Sequence, residues 1–200
     1  MIAPIAEMLR VIIEPLNFVD RISGLVKPTK VTLKNEEETI IKTVPMAIND
    51  FDVDCDPGDL MPMLPDGQYK SVHFFEDGGI EFVEGNEESR YYYCDAILRL
   101  VSWYNLKQIN QAFIDCNLLT ANILAVVPFR LANSGYYTQI TVEPTGEEIK
   151  GASVMDAYDF NEAEGQFATY PYEYTAINFK VGFAIPINCI DKIVLDPAEC

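Results

Sequence analysis

RYYYCDAILRLVSWY, from Arg90 to Tyr104, is the stretch on which the fold turns. It holds no glycine or proline and is built almost wholly of aromatic and aliphatic residues, the composition of a strand buried within a sheet. Side chains alternate across a strand, so Tyr92, Cys94, Ala96, Leu98 and Leu100 share one face. The same alternation splits Tyr91, Tyr92 and Tyr93 between two faces. They cannot all enter one core, and some must meet a helix layer or another chain.

Downstream, KQINQAFIDCNLLTANILAVVPF changes to helical spacing, with Ile109, Phe113, Cys116, Leu119 and Ile123 on one stripe. Asn105 is its candidate cap and Pro128 its limit, which predicts one helix over 105–127. FRLANSGYYTQITVEPT begins a further set of strands. The segment 143–172 is acidic, glycine-dotted and weakly patterned, and reads as a long hairpin or arm leaving the body. INFKVGFAIPI then closes the fold, with Ile177, Phe179, Val181 and Phe183 inward.

Upstream, QYKSVHFFEDGGIEFVEG reads as two strands about a turn at Asp77, Gly78 and Gly79. Before it, VTLK and TIIKTVPMAI form strands about NEEE, with Pro45 marking an edge or a bulge. In FDVDCD, Phe51, Val53 and Cys55 alternate with Asp52, Asp54 and Asp56, so the carboxylates share one face of an edge strand. The N-terminus carries Ile5, Met8, Leu9, Ile12 and Ile13 at helical spacing behind Pro4, a residue suited to a first turn. Pro15 kinks or ends that helix, and LNFVDRISGLV follows as a second helical piece or a turn. The expected class is therefore α+β: a mostly antiparallel sheet with an N-terminal and a central helix packed on it. The 200 residues form one domain, with 143–172 as its arm.

The net charge of −17 argues against a broad footprint on nucleic acid, and no sequence-specific nucleic-acid binding is expected. Residues 35–90 hold 15 acids against Lys42, Lys70 and Arg90, so much of the field is local. No run of about eighteen apolar residues predicts a membrane span, and no basic region precedes the first apolar residues as a secretory leader needs. The five cysteines are odd in number and widely spaced without a CxxC pair, which speaks against a disulfide framework or a zinc knuckle.

The acids of NDFDVDCDPGD invite a calcium reading, but a loop counted from Asp52 puts Pro57 at position six and Met63 at position twelve. A count from Asp50 puts Cys55 and Met61 there, so both registers lack the glycine and the bidentate glutamate. His73 is the only histidine, which removes a multi-histidine metal centre within one chain, and it is expected to be a strand residue with a local hydrogen bond. No phosphate-cradling glycine motif follows a strand. No catalytic residue, cofactor or metal ligand is assigned, and the chain is read as a non-enzyme.

EMLRVIIEPLNFVDRI, YYYCDAILRLVSWYNLKQINQAFIDC and FNEAEGQFATYPYEYTAINFKVGFAIPI, in this order, resemble the neck and tail-terminator proteins of tailed bacteriophages. The resemblance rests on element order and covers most of the chain, whose first strands and arm exceed a minimal terminator. It implies a virion component assembled in the host bacterial cytoplasm, closing into a homo-oligomeric ring and touching other neck, portal or tail proteins. A ring needs two different patches that meet. The expected interface residues are Asp52, Asp54 and Asp56 in the acidic segment and Tyr170, Tyr172 and Tyr174 in the aromatic one. The alternative is a carbohydrate- or divalent-metal-binding β-rich module that uses Trp103 as a stacking platform.

Overall fold

The computed structural model describes residues 2–34, 39–48, 60–83, 90–109, 115–135, 137–159, 167 and 170–187. The fold is α+β, a mostly antiparallel sheet with helices packed on it. Helix α1, Ala3–Ile13, starts with proline in its first turn and buries Ile5, Leu9 and Ile13. Of the two readings of LNFVDRISGLV, a second helical piece or a turn, the turn holds at its start, where Leu16 and Val19 donate to the Ile13 and Leu16 carbonyls, and a strand follows. Strand β1, Arg21–Leu25, runs parallel to the later β5, Ser71–Val83.

At Val26, whose amide donates to Phe75 at 2.9 Å, the chain leaves that pairing. It continues as β2, Lys27–Lys34, which pairs with β3, Thr39–Ile48, and β3 pairs with the short β4, Leu60–Pro62. Together β2, β3 and β4 form a separate three-stranded sheet. The main sheet adds β6, Tyr91–Asn105, β7, Thr138–Lys150, and β8, Tyr172–Pro186, in the order β1-β5-β6-β8-β7. Strand β6 lies in the centre, as its composition predicts.

Two cores follow from the alternation. Toward the helices, Leu98 and Leu100 of β6, Ile177, Phe179, Val181 and Phe183 of β8 and Ile140 and Val142 of β7 pack with α1. On the opposite face, Val72, Phe74, Val101, Trp103, Tyr174 and Ala176 pack under the small sheet and under Val154, Met155 and Tyr158. That second layer rests on residues 152–159, which form a short 3-10 turn and then bond to β3: Asp159 accepts from and donates to Thr43, each at 2.8 Å.

The described part of 143–172 therefore does not leave the body. Strand β7 pairs along β8, and Val154, Met155 and Tyr158 are buried. Its weak pattern reflects an edge strand with irregular register on either side of Val142, followed by a compact turn.

Two further expectations change. The sequence around Asp77, Gly78 and Gly79 is one continuous strand with a bulge, since β5 stays paired with β6 on both sides of it. A Cβ on Gly78 would sit 2.8 Å from the Ile97 side chain, and Gly79 has φ +106°. The glycines serve a close strand approach and a bulge here, uses that share their composition with a hairpin turn. The helix expected over 105–127 is interrupted. Helix α2 covers Leu106–Ile109, with the Gln108 amide reaching the Asn105 side chain at 3.4 Å, and α3 covers Cys116–Val126.

Asp115 is extended and its carboxylate accepts the Leu118 amide at 3.0 Å, capping α3. Aspartate offers the backbone this alternative to an unbroken helix. Asp115→Ala should cost about 1 kcal/mol of stability, read by urea unfolding. An unchanged midpoint would mean that the Glu173 carboxylate, which takes the Cys116 amide at 3.1 Å, holds the helix start by itself.

Candidate assembly surface and the buried polar ladder

Polar side chains cross the helix-facing side of the sheet at one end. In register, His73 of β5 faces Ser102 of β6, and Ser102 faces Thr175 of β8, while Ser71 faces Tyr104. All five are fully buried. The Ser71 hydroxyl donates to the Phe18 carbonyl at 2.7 Å, so toward the imidazole it can only accept. His73 Nε2–H therefore donates to Ser71 at 2.8 Å, and Nδ1 accepts from the Ser102 hydroxyl at 2.9 Å.

This ring is neutral: burial pushes its pKa down to about 3, against a smaller opposing pull from Asp20. Burial likewise pushes the Tyr104 hydroxyl up to about 12. The hydroxyls of Ser102, Thr175 and Thr120 lie near it and pull the other way. The hydrogen bonds of His73 and Ser71 tie β5 to β6 and to the turn at Phe18 and hold His73 in one tautomer, with both ring nitrogens occupied.

A pH dependence follows. In the unfolded chain His73 titrates near 6.5, so as pH falls the unfolded state takes up the proton first. Its stabilising contribution is complete above pH 6.5 and is lost as pH falls from 6.5 toward 3, at about 1.4 kcal/mol per pH unit. His73→Gln should remove about 2 kcal/mol of the stability lost between pH 7.5 and pH 5. Urea unfolding of both proteins at the two pH values gives this difference, and parallel losses would mean that His73 is charged in the fold.

The expected aromatic interface separates into three environments. Tyr174 is 5% exposed in the second core. Tyr172 stacks on Trp103, with ring centroids 5.4 Å apart and planes 18° from parallel, and Phe167 meets both edge-on. Tyr170 is the exposed one, at 86%. Tyr174 is thus corrected from interface to core, because β8 is an interior strand and the second layer covers it at this end of the sheet. Trp103 itself is 2% exposed, so it offers no platform to a sugar. Asp52, Asp54 and Asp56 lie outside the described residues.

A cleft of about 440 Å³ lies between the start of α3 and β8, lined by Asp115, Cys116, Asn117, Gly151, Tyr172, Glu173 and Tyr174. Its two carboxylates are engaged as helix caps, Asp115 to Leu118 and Glu173 to Cys116. Among the described residues no group of three or more His, Cys, Asp or Glu side chains is placed to hold a metal ion. Nor is any described helix long and apolar enough to cross a membrane.

An exposed apolar surface lies at the other end of the main sheet. Phe82 is 59% exposed, Val83 45%, and Tyr91, Tyr92 and Tyr93 are 37%, 41% and 39% exposed. They are neighbours by register, Phe82 opposite Cys94 and Val83 opposite Tyr93, with Tyr91 and Tyr92 opposite Pro186 and Ile185. Ile187, 46% exposed, closes the group by donating to the Arg90 carbonyl at 3.0 Å.

Phe82 and Tyr92 lie on the helix-facing side and Val83, Tyr91 and Tyr93 on the other, so this end shows aromatic surface on both faces. An aromatic side chain can bury roughly 200 Å², so these fractions amount to on the order of 500 Å² of exposed apolar surface. Divided between the two faces, it leaves on the order of 250 Å² on each, an ordinary patch for a monomer and a part of the about 800 Å² that each partner gives to a standard interface. The tyrosine triplet signals this surface in the sequence, whereas Phe82, Val83 and Ile187 carry no comparable mark. No protein-family model matches the chain, and no curated protein sequence matches it.

Proposed function

We propose that this chain is a structural subunit that acts by assembly rather than by catalysis, closing into a homo-oligomeric ring. The observation that carries this reading is the two-faced aromatic end of β5, β6 and β8. Solvated tyrosines on both faces of paired strands are a poor arrangement for a monomer and a good one for a subunit with neighbours. The order of elements supports the more specific form: an N-terminal helix, antiparallel strands, central helices and a last inward strand resemble the ring proteins at the neck or tail end of tailed bacteriophages. In that setting the partners are copies of itself together with portal, neck or tail proteins, and the place is the virion. The net charge of −17 suits a wall along which DNA slides without adhering.

Negative-stain imaging of the concentrated protein tests the ring. Closed annuli with one subunit number are expected. Open filaments would contradict closure, and particles no larger than the 22.5 kDa chain would contradict assembly itself.

A further inference from the structure

Resting on the assembly reading, we infer that the mate of the aromatic end is the lysine-bearing β2–β3 ribbon of a second copy, in a head-to-tail contact between two unlike patches. The aromatic end carries exposed Arg90 beside Tyr91, but its face away from the helices is negative. On that face, Val83 and Tyr93 adjoin Glu81 and Asp95, and Lys180, opposite Glu143 farther along the sheet, is already paired with Asp95 at 2.8 Å.

Strand β2 of the ribbon is the opposite. From Arg21 to Lys34 the sequence carries Arg21, Lys27, Lys30 and Lys34 and no acid, and the acids of the ribbon, Glu36, Glu37 and Glu38, stand in the segment that joins β2 to β3. Strand β2 is the outer strand of its sheet, and Lys27, Lys30 and Thr32 are exposed along it. Ile41, directly opposite Thr32, is 64% exposed and supplies an apolar contact. Asp159, the acid beside Lys30, is occupied by the Thr43 amide at 2.8 Å.

Lysines on an edge strand ordinarily keep edges apart, because two identical edges repel. That repulsion acts between two ribbons. Between a ribbon and the acidic aromatic end of another copy the same charges attract, so the arrangement selects the unlike pairing. A contact between unlike patches is the type that propagates into rings.

The test uses two full-length variants, Lys27→Glu with Lys30→Glu in the ribbon and Tyr91→Thr with Tyr93→Thr at the end, followed by sedimentation velocity. Each alone should self-associate more weakly than the wild type, at least about 30-fold for the lysine variant and at least about 100-fold for the tyrosine variant. Mixed in equal amounts they should form a dimer of twice 22.5 kDa and nothing larger, since one intact ribbon and one intact end remain. The wild-type contact should also weaken as salt is raised from 50 to about 500 mM. Should the glutamate variant fail to fold, Lys27→Gln with Lys30→Gln removes the charge without reversing it.

A mixture that stays monomeric while the wild type assembles would overturn the pairing and leave assembly standing, as would a ribbon variant that assembles like the wild type. A wild type that is monomeric at every concentration would overturn both.

Discussion

Tyr91→Thr combined with Tyr93→Thr is expected to weaken self-association at least about 100-fold while costing only about 1–2 kcal/mol of folding stability. Buried interface tyrosines are frequent hot spots worth about 2 kcal/mol or more, and two of them exceed the 2.7 kcal/mol or so that corresponds to 100-fold. Both rings are more than a third exposed in the single chain, so the subunit's own core loses little. Threonine keeps the β preference of the strand, which limits any effect through propensity. Association by sedimentation and stability by urea unfolding should separate cleanly. Unchanged association would remove the aromatic end from the contact, and a folding loss near 4 kcal/mol would place these rings in the core.

Trp103→Ala should do the reverse, costing about 3–5 kcal/mol of stability. The indole is stacked on Tyr172, met edge-on by Phe167 at 5.8 Å, and nearly sealed from solvent, so truncation opens a cavity where the second layer rests on the sheet. Its Nε1 has no hydrogen-bond partner among the described residues, so the loss is one of packing alone. Tyr174→Ser should be destabilising in the same way, since Tyr174 belongs to that core. A loss below about 1 kcal/mol for Trp103→Ala would mean that the second layer is not seated on it.

The contrast between these variants shows where the sequence is legible. Strand β6 and the later part of β8 are readable because each is a long run rich in aromatic and aliphatic residues, and the inward set Ile177, Phe179, Val181 and Phe183 lies in the helix-side core. Strand β5 is misread because Asp77-Gly78-Gly79 has the composition of a hairpin turn. Its actual reason, the approach of Ile97 to within 2.8 Å of a Gly78 Cβ, is a tertiary contact. The helix break at Asp115 has a local signal, a capping residue inside an apolar run, but the stripe on either side masks it.

Tyr174 is misplaced for a different reason. Alternation puts it on a definite face of β8, but whether that face meets water or a second layer depends on residues 43–47, 60–63 and 154–158, far away in sequence. The same applies in reverse to Tyr91 and Tyr93. Their triplet says that some of them must leave the core, and only the extent of the second layer says which end of the sheet is open. The parallel strand β1 is too short and too near Pro15 to be separated from the helix before it.

Oxidative labelling of tyrosines, read by mass spectrometry at low and high protein concentration, reaches the central claim most directly. Tyr91, Tyr92 and Tyr93 should label in dilute solution and become protected as the protein is concentrated, while buried Tyr104 stays unlabelled throughout. Equal labelling of the three at every concentration would contradict an assembly surface at this end of the sheet.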